Sequence, residues 1–87
     1  MADKKDKVYV KVRVLTDLTG AMMPEEIIWE GDRRYRIDRV SDVMRERADL
    51  VYFTVHLGQE TRRLYRETLP VQTSQALFRW YMEVGRG

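Results

Sequence analysis

The chain contains no cysteine, so neither a disulfide nor a thiolate-held metal is available to it. Its single histidine, His56, leaves only carboxylates as further donors for zinc or iron, a poor set for those ions. Serine occurs only at Ser41 and Ser74, and neither is adjacent to His56 in sequence. A catalytic histidine needs a nucleophile or an orienting acid at hand, so His56 is expected to be an exposed or interface residue. The five glycines, Gly20, Gly31, Gly58, Gly85 and Gly87, are scattered, and no loop of the phosphate-cradling kind can be built from them. No apolar run approaches the roughly 18 residues that a membrane helix needs. The segment after the charged N-terminus alternates in polarity and is not a signal-peptide core, so the expected location is cytoplasmic. These absences point away from an enzyme, from a bound cofactor and from a metal centre.

What remains is 87 residues, 44% apolar and 34% charged. That is enough for one small domain, which buries only about 60–65% of the surface its unfolded chain exposes. Positive groups number 16 against 14 negative, so a pI near 9.1 overstates the imbalance. Twelve of the cations are arginine, the residue suited to paired, stacked and interfacial sites.

Residues 1–6 read as a charged tail and 7–85 as a single β domain. From Lys7 the chain alternates, with Val8, Val10, Val12 and Val14 on one face and Tyr9, Lys11, Arg13 and Leu15 on the other. Thr16 to Pro24 reads as a loop, its Met22-Met23 pair folded back over the core. A second strand spans Glu25 to Glu30, and Glu30-Gly31-Asp32-Arg33 makes a tight turn into a third. The third strand slips in phase between Ile37 and Val40, which predicts a bulge or strong bend near Asp38-Arg39. Arg39 to Ala48 reads as a continuing bent strand running into a charged loop, with a short helix through Val40, Val43 and Met44 as the alternative. Leu50–Leu57 and Glu60–Glu67 form a hairpin about a Gly58-Gln59 turn of the glycine-first type. Thr68 to Ser74 reads as a loop. Over Ala76 to Val84 a strand is favoured over a helix, with Phe78, Trp80, Met82 and Val84 on one face. The expected fold is all-β: a single small antiparallel, strongly bent sheet or SH3-like barrel of about five or six strands.

The run Ile27-Ile28-Trp29-Glu30-Gly31, continued by Tyr35-Arg36-Ile37, resembles a hairpin signature of small uncharacterised bacterial β domains. In those domains a strand-turn-strand like Tyr52 to Gly58 follows, then a pair like Leu64-Tyr65 and a closing strand with tryptophan, here Arg79 to Glu83. The resemblance spans about residues 25–84, and it implies the β fold but no activity. This chain departs from the pattern by a longer Thr68–Ala76 segment before its last strand.

Trp29, Phe53 and Trp80 are read as core, since a chain this short needs its large rings for burial. The carboxylates Glu25-Glu26 and Glu30/Asp32 are read as a solvated strand start and a solvated turn. Strands 1, 4 and 6 carry apolar residues on both faces, and one core covers only one of them. The exposed face calls for a partner, another protein or a second copy of the chain in a homodimer, with Tyr52, Tyr81 and Leu77 as the candidate interface. The alternative reading is a single-stranded nucleic-acid module, with Arg34, Arg36, Arg62 and Arg66 tracking phosphates and tyrosine rings stacking on bases. The interleaved carboxylates weigh against it, because cross-strand pairs would neutralise the arginines.

Overall fold

A computed structural model of the chain describes residues 5–70 and 77–85. Seven strands are present: β1 (Lys5–Thr16), β2 (Met22–Trp29), β3 (Arg33–Arg36), β4 (Arg39–Arg47), β5 (Leu50–Leu57), β6 (Glu60–Leu69) and β7 (Leu77–Gly85). They form one curled sheet in the order β3-β2-β1-β7-β6-β5-β4, and every neighbouring pair is antiparallel. The direction of each strand then follows from its place, and β3 and β4, at the two ends of the sheet, run the same way. They are two halves of one bent strand. Its first half pairs with β2 and its second with β5. At the bend, the Ile37 amide donates to the Glu25 carbonyl at 2.9 Å and the Asp38 amide donates to the His56 carbonyl at 2.8 Å. Two successive backbone amides thus tie the two ends of the sheet together and make it barrel-like. The Asp38 carboxylate accepts from the Gly58 amide at 2.7 Å, which fixes the β5–β6 hairpin tip to the bend.

The strand count exceeds the expected five or six because the predicted bend divides the third strand in two. The sequence Arg39 to Arg47 is strand throughout, neither charged loop nor helix. A bulge at Ser41 sets Val40 opposite Val55 and Asp42 opposite Thr54, and so produces the helix-like spacing of Val40 and Val43. β1 begins at Lys5, two residues inside the expected tail, where Lys5 and Asp6 pair with Gly85 and Val84. The expected loop of Thr16 to Pro24 shrinks to 17–21, since Met22 to Pro24 already pair with β1. Within that loop the Asp17 carboxylate accepts from the Thr19 amide, the Thr19 hydroxyl and the Ala21 amide. These bonds hold its acid below the ordinary carboxylate range. Residues 1–4 of the expected tail, and the 71–76 part of the expected loop with Ser74 and Ala76, lie outside the described residues.

The concave face carries the core. Ile27, Phe53, Val55, Leu64, Trp80 and Met82 are all buried there, with Val10, Val12, Trp29 and Val40 packed against them. Phe53 and Trp80 lie ring to ring at 5.5 Å. Leu77–Gly85 is a strand with the face assignment that period-two counting predicts.

The β2–β3 turn is a short 3-10 turn, Glu30–Asp32, with left-handed backbone at Gly31 (φ 73°) and Asp32 (φ 58°). A Cβ at Gly31 would meet nothing within 4 Å, so a side chain there costs backbone strain alone. Gly31→Val is expected to destabilise the fold by more than about 1 kcal/mol, because a β-branched residue strongly disfavours positive φ. Chemical denaturation measures this, and an unchanged midpoint would contradict the turn geometry.

Candidate binding clefts

A strand shared between both ends of a sheet leaves two wedges where its halves are unpaired. The upper wedge lies between β3 and the β5–β6 hairpin, and the lower one between the start of β2 and the free edge of β4. Both open onto the concave face, and both are clefts.

The upper cleft has a volume of about 490 Å³. Ile27, Leu57 and Met82 make its apolar surface, while Trp29 and Tyr35 add two rings. Register explains their convergence: Ile27 faces Tyr35 and Trp29 faces Arg33 across the β2–β3 ladder, all with inward phase. Arg33 and Arg62 bring two guanidinium groups to the same opening. Arg33 donates to the Glu30 carbonyl at 3.3 Å, and Arg62 lies 3.5 Å from the Glu60 carboxylate. Tyr35 is 40% exposed despite its inward phase, because β3 has no neighbour on its open side.

The lower cleft, about 400 Å³, is lined by Met22, Met23, Val43, Phe53, Arg45 and Arg66, among others. The Arg66 guanidinium stacks over Phe78 at 4.8 Å and lies 5.6 Å from the Phe53 ring. Its Nε is sealed from solvent and has no hydrogen-bond partner among the described residues. Burial lowers the pKa of Arg66, and the nearby Arg45 charge adds to that effect.

On the convex face, cross-strand register places Tyr9 beside Tyr81, Tyr81 beside Tyr65 and Tyr65 beside Tyr52. Ring centroids lie 5.7, 4.8 and 5.7 Å apart along this ladder, and Tyr65 stacks flat on Tyr81. Cations cover the rings: Lys7 sits over Tyr81 at 4.7 Å, Arg63 over Tyr52 at 4.4 Å and Arg79 over Tyr9 at 4.2 Å. Arg79 is itself held by Glu67 at 2.8 Å. The second apolar face is therefore roofed largely by its own chain. Of the candidate interface residues, Tyr81 is 3% exposed, Tyr52 is half-buried and Leu77 is open. The structure brings Tyr52 and Tyr81 into one ladder, with Tyr81 buried and Tyr9, at one end, 44% exposed.

The four arginines of the nucleic-acid reading are divided. Arg34 and Arg36 have outward phase on β3, and Arg34 is paired with Glu26 at 2.9 Å. Arg36 borders a mixed-charge hollow below the bend together with Glu25, Glu26 and Asp38. Arg62 and Arg66 face inward on β6, one at each end of the barrel-like sheet. No spacing in the chain signals that Arg33 and Arg62 share a cleft with Trp29 and Tyr35, since that depends on how far the bend brings β3 over the β5–β6 hairpin.

His56 is half-buried on the convex face, with Nε2 2.8 Å from the Ser41 hydroxyl and Nδ1 3.3 Å from the Thr61 hydroxyl. The bulge at Ser41 creates this contact, which residue spacing could not foretell. Neither Ser41 nor His56 lines either cleft or the mixed-charge hollow, and among the described residues no carboxylate bonds the imidazole. The trio reads as a cross-strand polar clasp. Among the described residues no cluster of three His, Asp or Glu side chains is placed to hold a metal ion, and no helix is long and apolar enough to cross a membrane. No family model matches the chain, and no curated protein or solved structure is found similar to it.

Proposed function

We propose that the chain is a non-catalytic binding module, a small barrel of the SH3-like kind, that takes a segment of a partner protein at the upper cleft. The observation that carries this reading is the convergence of Trp29, Tyr35, Arg33 and Arg62 on one concave, apolar-floored opening. Tryptophan, tyrosine and arginine are the residue types that dominate binding energy at protein interfaces. A cleft of this volume accommodates one or two apolar side chains, and the arginines favour a neighbouring carboxylate. The free edge of β4 is a weaker candidate for pairing with another chain. It carries Arg39, Asp42, Arg45, Glu46 and Arg47, and two register breaks, the devices that discourage edge-to-edge association.

Peptides selected by display on the wild-type protein are expected to share an apolar residue next to an acid. Their affinity should fall by at least about 30-fold on Tyr35→Ala, the equivalent of about 2 kcal/mol at an interface centre. Failure to enrich any peptide, or enrichment indifferent to Tyr35→Ala, would overturn the reading. A sedimentation run on the free protein separates out self-association: a dimer lost on Tyr52→Glu would move the interface to the tyrosine ladder.

A second reading uses the same cleft. Two rings beside two arginines also suit an unpaired base with its phosphates. Binding of a single-stranded oligonucleotide would then weaken by about 1.4 log units per log of salt, at about 0.7 for each of two contacts. No binding at low salt removes it.

A further inference from the structure

We propose that the lower cleft is a second binding site, specific for a small amphiphilic anion whose head is held by Arg66 and Arg45 and whose apolar body lies on Phe53, Val43 and Met22. Four arginines, Arg34, Arg47, Arg62 and Arg79, each lie against a carboxylate. Arg66 faces inward and, among the described residues, lies against none. Its guanidinium is partly withdrawn from water and has aromatic rings and a methionine sulfur for company, the Met22 Sδ lying 4.0 Å from Nη1. Among the described residues no acidic side chain lines this cleft, and the second charged group that does, Arg45, has the same sign. Arg45 donates to the Ala48 carbonyl at 3.1 Å.

A desolvated cation beside another cation is unfavourable, and removing it in favour of an apolar residue would relieve that cost. Ring stacking offsets part of it. An anion offsets the rest, because a guanidinium binds a carboxylate or phosphate through paired N–H donors. Apolar contact is already built in: Val51 and Phe53 are 8% and 2% exposed at the floor, while Met23 and Val43, at 44% and 48%, form walls with free surface. The cleft volume of about 400 Å³ lies within the range of small-ligand sites. Its occupant is therefore an oxyanion carrying a short apolar body. It shares no residue with the upper cleft, so the two proposals stand or fall separately.

Octanoate, octyl phosphate and octanol, titrated calorimetrically against the whole chain, test this. At least one of the two anions is expected to bind saturably and raise the melting temperature, with octanol at least tenfold weaker. Which anion binds more tightly identifies the head group. Arg66→Met and Arg45→Met should each weaken the anion at least tenfold, whereas Arg33→Met in the upper cleft should leave it unchanged. Arg45 is exposed at the rim, so its substitution keeps the test valid if Arg66→Met fails to fold. Neither anion binding, octanol binding equally well, or anion binding indifferent to Arg45→Met would each overturn the proposal. The first of these outcomes would leave Arg66 as a ring-stacked structural residue.

Discussion

Replacing Leu64 with alanine is expected to remove about 2–5 kcal/mol of stability, the range for emptying a fully buried leucine site. Leu64 is 0% exposed and sits at the middle of β6, facing Phe53 on one side and Met82 on the other. Six of the other residues in its cluster come from β2, β5 and β7, so a cavity there is bounded by paired strands that cannot collapse inward freely. Stability of about 0.05–0.15 kcal/mol per residue gives an 87-residue chain roughly 4–13 kcal/mol in all. The substitution therefore removes a large share of it. Val43→Ala is the control. It has the same inward phase, but at 48% exposure on the open edge it should cost no more than about 0.5 kcal/mol. Denaturant titration should show a lowered midpoint at unchanged slope for Leu64→Ala and little change for Val43→Ala. Equal losses at the two sites would mean that the concave face is not the core.

The contrast between these two residues also shows how much of the fold was legible in the sequence. Period-two alternation placed Val10, Phe53, Val55, Trp80 and Met82 on inward faces, and all of them lie on or against the core. Gly31 and Gly58 marked their turns, and both have positive φ. The phase slip after Ile37 marked the bend. Alternation, however, specifies a face and not a neighbour. It cannot tell that β3 and β4 end on opposite edges of the sheet, and the clefts follow from that arrangement. Nor can it tell Tyr52 and Tyr81 from unpartnered apolar residues, because the cations that roof the ladder come from β1, β6 and β7 through long-range pairing. Arg62 and Arg66 read from sequence as one basic face, two residues either side of Leu64. The structure sends them to opposite ends of the interior, one beside a carboxylate and one beside rings. Same-face placement was right, and shared function did not follow from it.

Alkaline solution should unfold the chain through its tyrosine ladder. Tyr81 is 3% exposed, stacked at 4.8 Å on Tyr65 and met edge-on by Tyr9 at 5.7 Å. Burial pushes its phenol up to about 12, and the carboxylates Glu67 and Glu83 add to the rise by disfavouring a phenolate beside them. Burial also raises the phenol of Tyr65. In the unfolded chain a tyrosine ionises near pH 10. A folded-state value above the unfolded one means that the native state holds its proton longer. The stability contributed by keeping Tyr81 neutral is therefore complete below about pH 10 and is lost as pH rises toward about 12. Denaturation midpoints measured at intervals across this window should decline, while absorbance at the phenolate band should rise late and together with loss of structure. Tyr81→Phe keeps the ring stack and removes the ionisable group, so its stability should decline less steeply over the same window. Tyr65 retains part of the dependence, so the slope should be reduced and not abolished. If Tyr81 titrates like a free phenol in the intact fold, or if Tyr81→Phe leaves the alkaline slope as it was, the ladder is open to solvent. Its flanks and its centre would then both be available to a partner.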